Sequence, residues 1–192
     1  MISSTDLKER TQEILKPLAK SLGQMGISPN AITVLGFVLS LLSGVLIATE
    51  NLLAGTFLFL LSGLCDTFDG VVARITGKKS RLGAFLDSFL DRYADFFPLA
   101  GIAYLAHKGN DDLLLLLALL SIAGSFATSY ARAKAEALGV ECKVGLLERP
   151  ERFFILLAGL ATGYLAVATS ILALLSNATA FQRLLCAVER LK

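Results

Sequence analysis

Cysteine is scarce in this sequence. Cys65, Cys142 and Cys186 are odd in number, widely spaced and never in a CxxC pair, so neither a disulfide framework nor a zinc site is indicated. All three are expected to be reduced packing residues. Charge is scarce too: only 18% of the 192 residues are Asp, Glu, Lys or Arg, and the net charge is +2. Without a basic tract interleaved with aromatics, nucleic acid is excluded as a partner. Residues 1–28 lack the apolar core and small-residue cleavage site of a secretory signal, so the first apolar span is expected to act as its own signal. Neither an internal repeat nor a low-complexity linker divides the chain, and residues 1–192 are expected to form a single domain.

What the sequence does have is apolar runs. Hydrophobic residues make up 55% of the chain, and the mean hydropathy of +0.67 belongs to a polytopic, all-α membrane protein. Windows of the roughly 20 apolar residues that a helix needs to cross a bilayer fall near 31–49, 52–74, 82–106, 112–137, 151–166 and 168–188, which gives six spans in a bundle over 29–192. The boundary between the last two is the least sharply marked, lying somewhere from Gly163 to Ala168.

Basic residues alternate between the two ends of these spans. Lys8, Arg10, Lys16 and Lys20 precede the first; Arg74, Lys78, Lys79 and Arg81 separate the second from the third; Arg132, Lys134, Lys143, Arg149 and Arg152 separate the fourth from the fifth. Turns at the opposite ends, near Glu50, Lys108 and Tyr164, hold Lys108 alone. By the positive-inside rule both termini lie in the cytoplasm, with the cell membrane as the location. His107 then falls on the far side, away from any cytoplasmic chemistry. Before the first span, Leu7, Ile14, Leu15, Leu18 and Leu22 share one helical face opposite Lys8, Glu9, Lys16 and Lys20, the pattern of an amphipathic helix lying in the interface over residues 1–28.

Against this apolar background five carboxylates stand out in LCDTFDGVVARITGKKSRLGAFLDSFLDRYADFF. Asp66 and Asp69 are three apart near the cytoplasmic end of the second span, and Asp87, Asp91 and Asp95 follow at intervals of four in the third. Each set forms one stripe on its helix, and the short link ITGKKS implies that the two helices are antiparallel neighbours with facing stripes. Charge at membrane depth is costly and marks function. Repelling carboxylates require cations, and all-oxygen ligation selects hard divalent ions, Mg²⁺ ahead of Mn²⁺ or Ca²⁺. Gly70 and Gly83, with Ala73, cut away the helix surface beside the acids, leaving room for a phosphate-bearing ligand. Helix packing alone explains the small residues and no aspartate. A proton relay or cation transporter predicts acids spread through the membrane depth, whereas these gather toward one surface beside a basic loop.

The spacing Asp66-x-x-Asp69-Gly70-x-x-Ala73-Arg74, then Gly83-x-x-x-Asp87-x-x-x-Asp91, resembles the signature of the CDP-alcohol phosphotransferases, integral membrane enzymes of phospholipid synthesis. The resemblance implies that an acceptor hydroxyl attacks a phosphorus of a CDP-linked donor and releases CMP. It further implies a two-Mg²⁺ site, with Mn²⁺ as a substitute, held by Asp66, Asp69, Asp87 and Asp91. Asp91 would also be the catalytic base, and Asp66, Gly70, Ala73, Arg74 and Gly83 would line the nucleotide pocket. SPNAIT at 28–33 is similar to the motif opening the family's first span, adding Asn30 and Thr33 to that pocket; its plainer role is a helix start, with Ser28 as cap and Pro29 in the first turn. Homodimerisation is likewise implied by the family alone. Asp95, outside the signature, is expected to pair with a basic residue or water rather than metal.

The segment SYARAKAEALGVECKVGLLERPERF, residues 129–153, is similar to the branch that uses inositol phosphate, the phosphatidylinositol phosphate and archaetidylinositol phosphate synthases. A phosphorylated acceptor needs cations of its own, and Arg132, Lys134, Arg149, Arg152 and Arg190 are the candidates. Glycerol 3-phosphate, serine and free inositol are the alternative acceptors. Three smaller features receive structural readings: Arg183 is expected to snorkel out of the sixth span, the NAT at Asn177 is discounted as a glycosylation site because it falls within a span, and Gly55, Gly63, Gly159 and Gly163 are read as close helix contacts.

Overall fold

The structure is a computed structural model and describes Pro17, Lys20, Ser21 and residues 26–192. Most of the expected interfacial helix over 1–28 lies outside the described residues. Those residues form six helices and no strand: α1 Pro29–Ala48, α2 Leu52–Ile75, α3 Arg81–Lys108, α4 Asp112–Ala137, α5 Arg149–Thr162 and α6 Leu165–Leu191. By length and composition four of them, α1, α2, α4 and α6, suffice to cross a membrane. The other two fall short for different reasons: α3 carries acids and Arg92 through its first half, while the 14 residues of α5 extend about 21 Å against a hydrocarbon core of about 30 Å.

Local chemistry sets the helix ends. Ser28 and Ser80 start α1 and α3 by accepting hydrogen bonds from the Ala31 and Gly83 amides, and Asn51 and Asp111 do the same for α2 and α4. Gly163 ends α5 at φ 77°. A Cβ there would meet no atom within 4 Å, which corrects the reading of Gly163 as a packing contact: it is a left-handed helix terminator, and it fixes the boundary between the last two helices.

Elsewhere small residues bring backbones together. A Cβ on Gly101 would collide with the Gly44 carbonyl, and one on Gly44 with the Phe97 carbonyl, which draws α1 tightly onto α3. Gly55, Gly63 and Gly159 press on Ile47, Phe153 and Ala168, as read from the sequence. Hydroxyls tie the same seams: Ser43 donates to Gly55 O at 2.7 Å, Ser62 to Gly36 O at 2.8 Å and Thr128 to Ser176 O at 2.8 Å. Pro98 sits inside α3 and leaves the Ala94 carbonyl without its helical donor. Ser40 of α1 supplies the missing bond at 2.6 Å, so the long helix continues through the proline.

The helices group as α1–α3 and α4–α6, joined where α3 meets α4 and α2 meets α5. The expectation that α2 and α3 pack as direct neighbours is corrected: both lie along α1 and touch each other at few points. The short link determines their direction, but α1, rich in small residues, offers the closer packing surface. The reading of all three cysteines as reduced is corrected too. Cys142, in the α4–α5 loop, and Cys186 of α6 form a disulfide with a Cα separation of 6.0 Å, and Cys65 is free.

Candidate active site

The acid stripes converge at the seam between the two helix groups. Asp66 from α2 and Asp87 and Asp91 from α3 each offer a carboxylate oxygen within 4.8 Å of the others. Asp69 lies beside them, 6% exposed, with Oδ2 accepting the Thr33 hydroxyl at 2.7 Å. This bond places the SPNAIT segment, at the start of α1, against the signature of α2. The donor set is all oxygen and carries more negative charge than an unpaired site tolerates, so its chemistry fits a hard divalent cation.

Arginines from α5 face the acids from the other side. Arg149 reaches Asp66 Oδ1 at 2.8 Å, Asp91 Oδ1 at 2.9 Å and Asp95 Oδ1 at 3.4 Å. Arg152, 5% exposed, reaches Asp95 Oδ2 at 3.3 Å. Asp95 therefore pairs with basic residues, as expected, and Pro150 between the two arginines lies in the first turn of α5. Behind Asp91, Arg92 approaches its Oδ2 at 3.5 Å and donates to the Ser129 hydroxyl of α4.

Next to the acids a cleft of about 340 Å³ is lined by Asn30, Thr33, Gly70, Ala73, Arg74 and Gly83, together with Asp69 and Asp87. All the nucleotide-pocket residues named from the sequence except Asp66 line it. Asp66 instead lines an adjoining small cavity with Asp91, Asp95 and Arg149. A Cβ on Gly70 would come no nearer than 3.7 Å to Arg74 Nη2, so glycine keeps that wall open; one on Gly83 would crowd Asn30 Oδ1 at 3.0 Å. The Arg74 guanidinium is held over the cleft by its Nε bond to Gly70 O at 2.9 Å.

Of the acceptor-side candidates, the structure brings Arg149 and Arg152 to the acids and leaves three elsewhere. Arg132 pairs with Glu136 at 2.8 Å, Lys134 lines an apolar groove between α4 and α6, and Arg190 bonds Glu141 O at 2.7 Å. His107 sits at the far end of α3, about 24 Å along the helix from Asp91.

Sequence reasoning missed the contribution of five residues. Lys78, Lys79 and Ser80 also line the cleft; their only signal was a short polar link next to the signature. Thr179 of α6 accepts the Leu146 and Leu147 amides, both at 3.1 Å. Arg183 is 4% exposed and donates to Val144 O at 2.9 Å and Thr128 O at 3.0 Å. The snorkelling expectation for Arg183 is thereby corrected: it turns inward, where the Val144 carbonyl of the loop and the Thr128 carbonyl of α4 accept its guanidinium hydrogens. Both residues dock the loop that delivers Arg149. Their polar i, i+4 spacing inside an apolar helix was the available clue.

These features together, a half-buried trio of acids at the end of an apolar helix bundle, a basic cleft on one side and arginines on the other, describe a membrane phosphotransferase. The chain belongs to the CDP-alcohol phosphatidyltransferase family, whose model matches residues 26–186. It is 37% identical over 175 residues to the archaetidylinositol phosphate synthase of Methanothermobacter thermautotrophicus, covering 88% of this chain and 87% of that one. In three dimensions it is similar to the phosphatidylinositol phosphate synthase of Mycobacterium tuberculosis with CDP-DAG bound, at a TM-score of 0.84 and 32% identity over 91% of this chain and 94% of that one. The same synthase in complex with manganese and citrate matches at a TM-score of 0.84 and 32% identity, over 90% and 88% of the respective chains. The chain is thus a CDP-alcohol phosphotransferase, a multi-pass membrane enzyme whose clustered acids suit a divalent metal.

Proposed function

We propose that this enzyme transfers a phosphatidyl or archaetidyl group from a CDP-activated lipid to a hydroxyl of inositol phosphate and releases CMP. The observation that carries the reading is the placement of Asp66, Asp87 and Asp91 between a cleft fit for a nucleotide and the paired arginines Arg149 and Arg152. One side suits a pyrophosphate, the other an anionic acceptor. The names of the similar synthases support inositol phosphate.

Two Mg²⁺ ions held by Asp66, Asp69, Asp87 and Asp91, with Mn²⁺ able to substitute, supply neutralisation of the pyrophosphate charge when bound. Asn30, Thr33, Gly70, Ala73, Arg74 and Gly83 seat the nucleotide. Asp91 takes the proton from the acceptor hydroxyl as its oxygen attacks the lipid-bearing phosphorus; the bond from that phosphorus to the CMP oxygen breaks, and CMP leaves. Arg149 and Arg152 orient the acceptor's phosphate. The six-helix bundle sits in the cell membrane as a homodimer, with both termini and the site on the cytoplasmic side.

A CMP-release assay on purified protein tests this. CDP-lipid and Mg²⁺ are supplied with inositol phosphate, glycerol 3-phosphate, serine or inositol in turn, and release is expected with inositol phosphate. Release with glycerol 3-phosphate but not inositol phosphate sinks the acceptor. No release with any acceptor leaves a cation transporter as the reading of the acids.

A further inference from the structure

The carboxylates assigned to metal are already bonded to a cation, and that cation belongs to the chain. Arg149 turns each guanidinium nitrogen to a different carboxylate: Nη1 to Asp66, Nη2 to Asp91 and Nε to Asp95. Asp66 and Asp91 are members of the metal-competent trio, and Asp95 is not. A divalent ion binds carboxylate oxygens at about 2.0–2.6 Å, and a guanidinium on the same oxygens repels it strongly where bulk water does not screen the pair. The two cations therefore contend for the same oxygens.

The contest has a defined fallback position. Arg149 is the first residue of α5, and its long side chain can change partners without a move of the helix. Asp95 sits one turn beyond Asp91 on α3 and is itself held by the buried Arg152. An Arg149 that loses Asp66 and Asp91 keeps its Nε partner.

We propose that Arg149 is a built-in competitor for the metal site. Before metal binds, its Nη1 and Nη2 hold Asp66 and Asp91; metal loading displaces both while Nε stays on Asp95, and the freed donors become available to the acceptor's phosphate. The last step rests on the acceptor reading above. The displacement does not. The enzyme accordingly fills in order, with metal and donor first and the phosphorylated acceptor second, because the acceptor's anchor is occupied until the acids are.

Arg152 provides the control, since it carries the same charge and touches the same Asp95 but neither Asp66 nor Asp91. Mn²⁺ is titrated into the full chain in detergent without CDP-lipid or acceptor, and the free ion is read by electron paramagnetic resonance. Arg149→Met is expected to bind Mn²⁺ about 10-fold more tightly than the parent, the scale of one charge-assisted hydrogen bond. Arg152→Met is expected to stay within about 2-fold, since it breaks no bond to the trio. Arg149→Lys keeps the charge but cannot fork across two carboxylates, so it is expected to fall between, and it serves as the second variant should Arg149→Met fold poorly. Unchanged or weaker Mn²⁺ binding in the Arg149 variants overturns the proposal. So does equal tightening in Arg152→Met, which reduces the effect to net charge. A wrong acceptor assignment shows only in the CMP-release assay and leaves the Mn²⁺ curves where they are.

Discussion

At the residue scale Asp91 is held by a second arginine besides Arg149. Arg92 approaches its Oδ2 at 3.5 Å and takes no part in the exchange proposed for Arg149, so it keeps the carboxylate oriented after Arg149 has released Oδ1, as a proton acceptor requires. Asp91→Asn keeps the shape and removes the basic oxygen. CMP release is expected to fall by about 10³-fold, while equilibrium binding of CDP-lipid changes by no more than about 3-fold; if turnover survives and binding collapses, the base lies elsewhere. Much of this residue-level chemistry was legible in the sequence, because intervals of three and four place acids on one helical face and acids in an apolar chain require partners. Asp95 even showed the kind of partner it would take. The inward turn of Arg183 was not legible: hydropathy reports that an arginine is out of place in a span, but not which carbonyls lie within its reach.

At the scale of elements, glycines with similar sequence surroundings do opposite work. Gly101 closes the α1–α3 contact, where a Cβ meets the Gly44 carbonyl and Ile47. Gly70 keeps the cleft open, with only Arg74 Nη2 at 3.7 Å. Gly101→Ala is expected to cost about 1–3 kcal/mol through overpacking and to lower the thermal midpoint by several degrees, leaving the CDP-lipid KM unchanged. Gly70→Ala relieves a helix of its least favourable residue and is expected to hold or slightly raise the midpoint while raising the CDP-lipid KM. Thermal scans paired with donor kinetics separate the two, and the reverse pattern removes the division between packing and binding glycines. The existence of the helices was legible from apolar runs, and two of their starts from the Ser28 cap with Pro29 and from Pro150. The α2–α3 adjacency was misjudged because link length sets direction, whereas the packing partner depends on which surface is smallest, and α1 presents Gly36, Ser40, Ser43 and Gly44, all buried, along one face.

At the scale of the whole molecule, the site exists only where two groups of helices meet: α2 and α3 bring the acids, and α5 brings Arg149. That seam was not legible, since nothing in one helix's sequence says which helix from the other group will face it. The loop before α5 must therefore be held in place, and four devices on α6 hold it: Thr179 on two amides, Arg183 on the Val144 carbonyl, Arg190 on the Glu141 carbonyl and Cys186 bonded to Cys142. Cysteine spacing gave no hint of the last, because a separation of 44 residues carries no motif and the pairing arises from the fold. A loop of that length, cross-linked, loses unfolded-state entropy worth about 4 kcal/mol, which for a chain of this size is roughly 10 °C in thermal midpoint. Incubation of purified protein with a dithiol reductant is expected to lower the midpoint by that order, and Cys142→Ser is expected to reproduce the drop and to be insensitive to reductant. The acceptor KM should rise in both, because the loosened loop carries Arg149, while the donor KM should hold because the nucleotide cleft belongs to α1–α3. Three reactive thiols per chain in unfolded, unreduced protein, with no response of the midpoint to reductant, rule out the bridge and leave Thr179, Arg183 and Arg190 as the fasteners of the site.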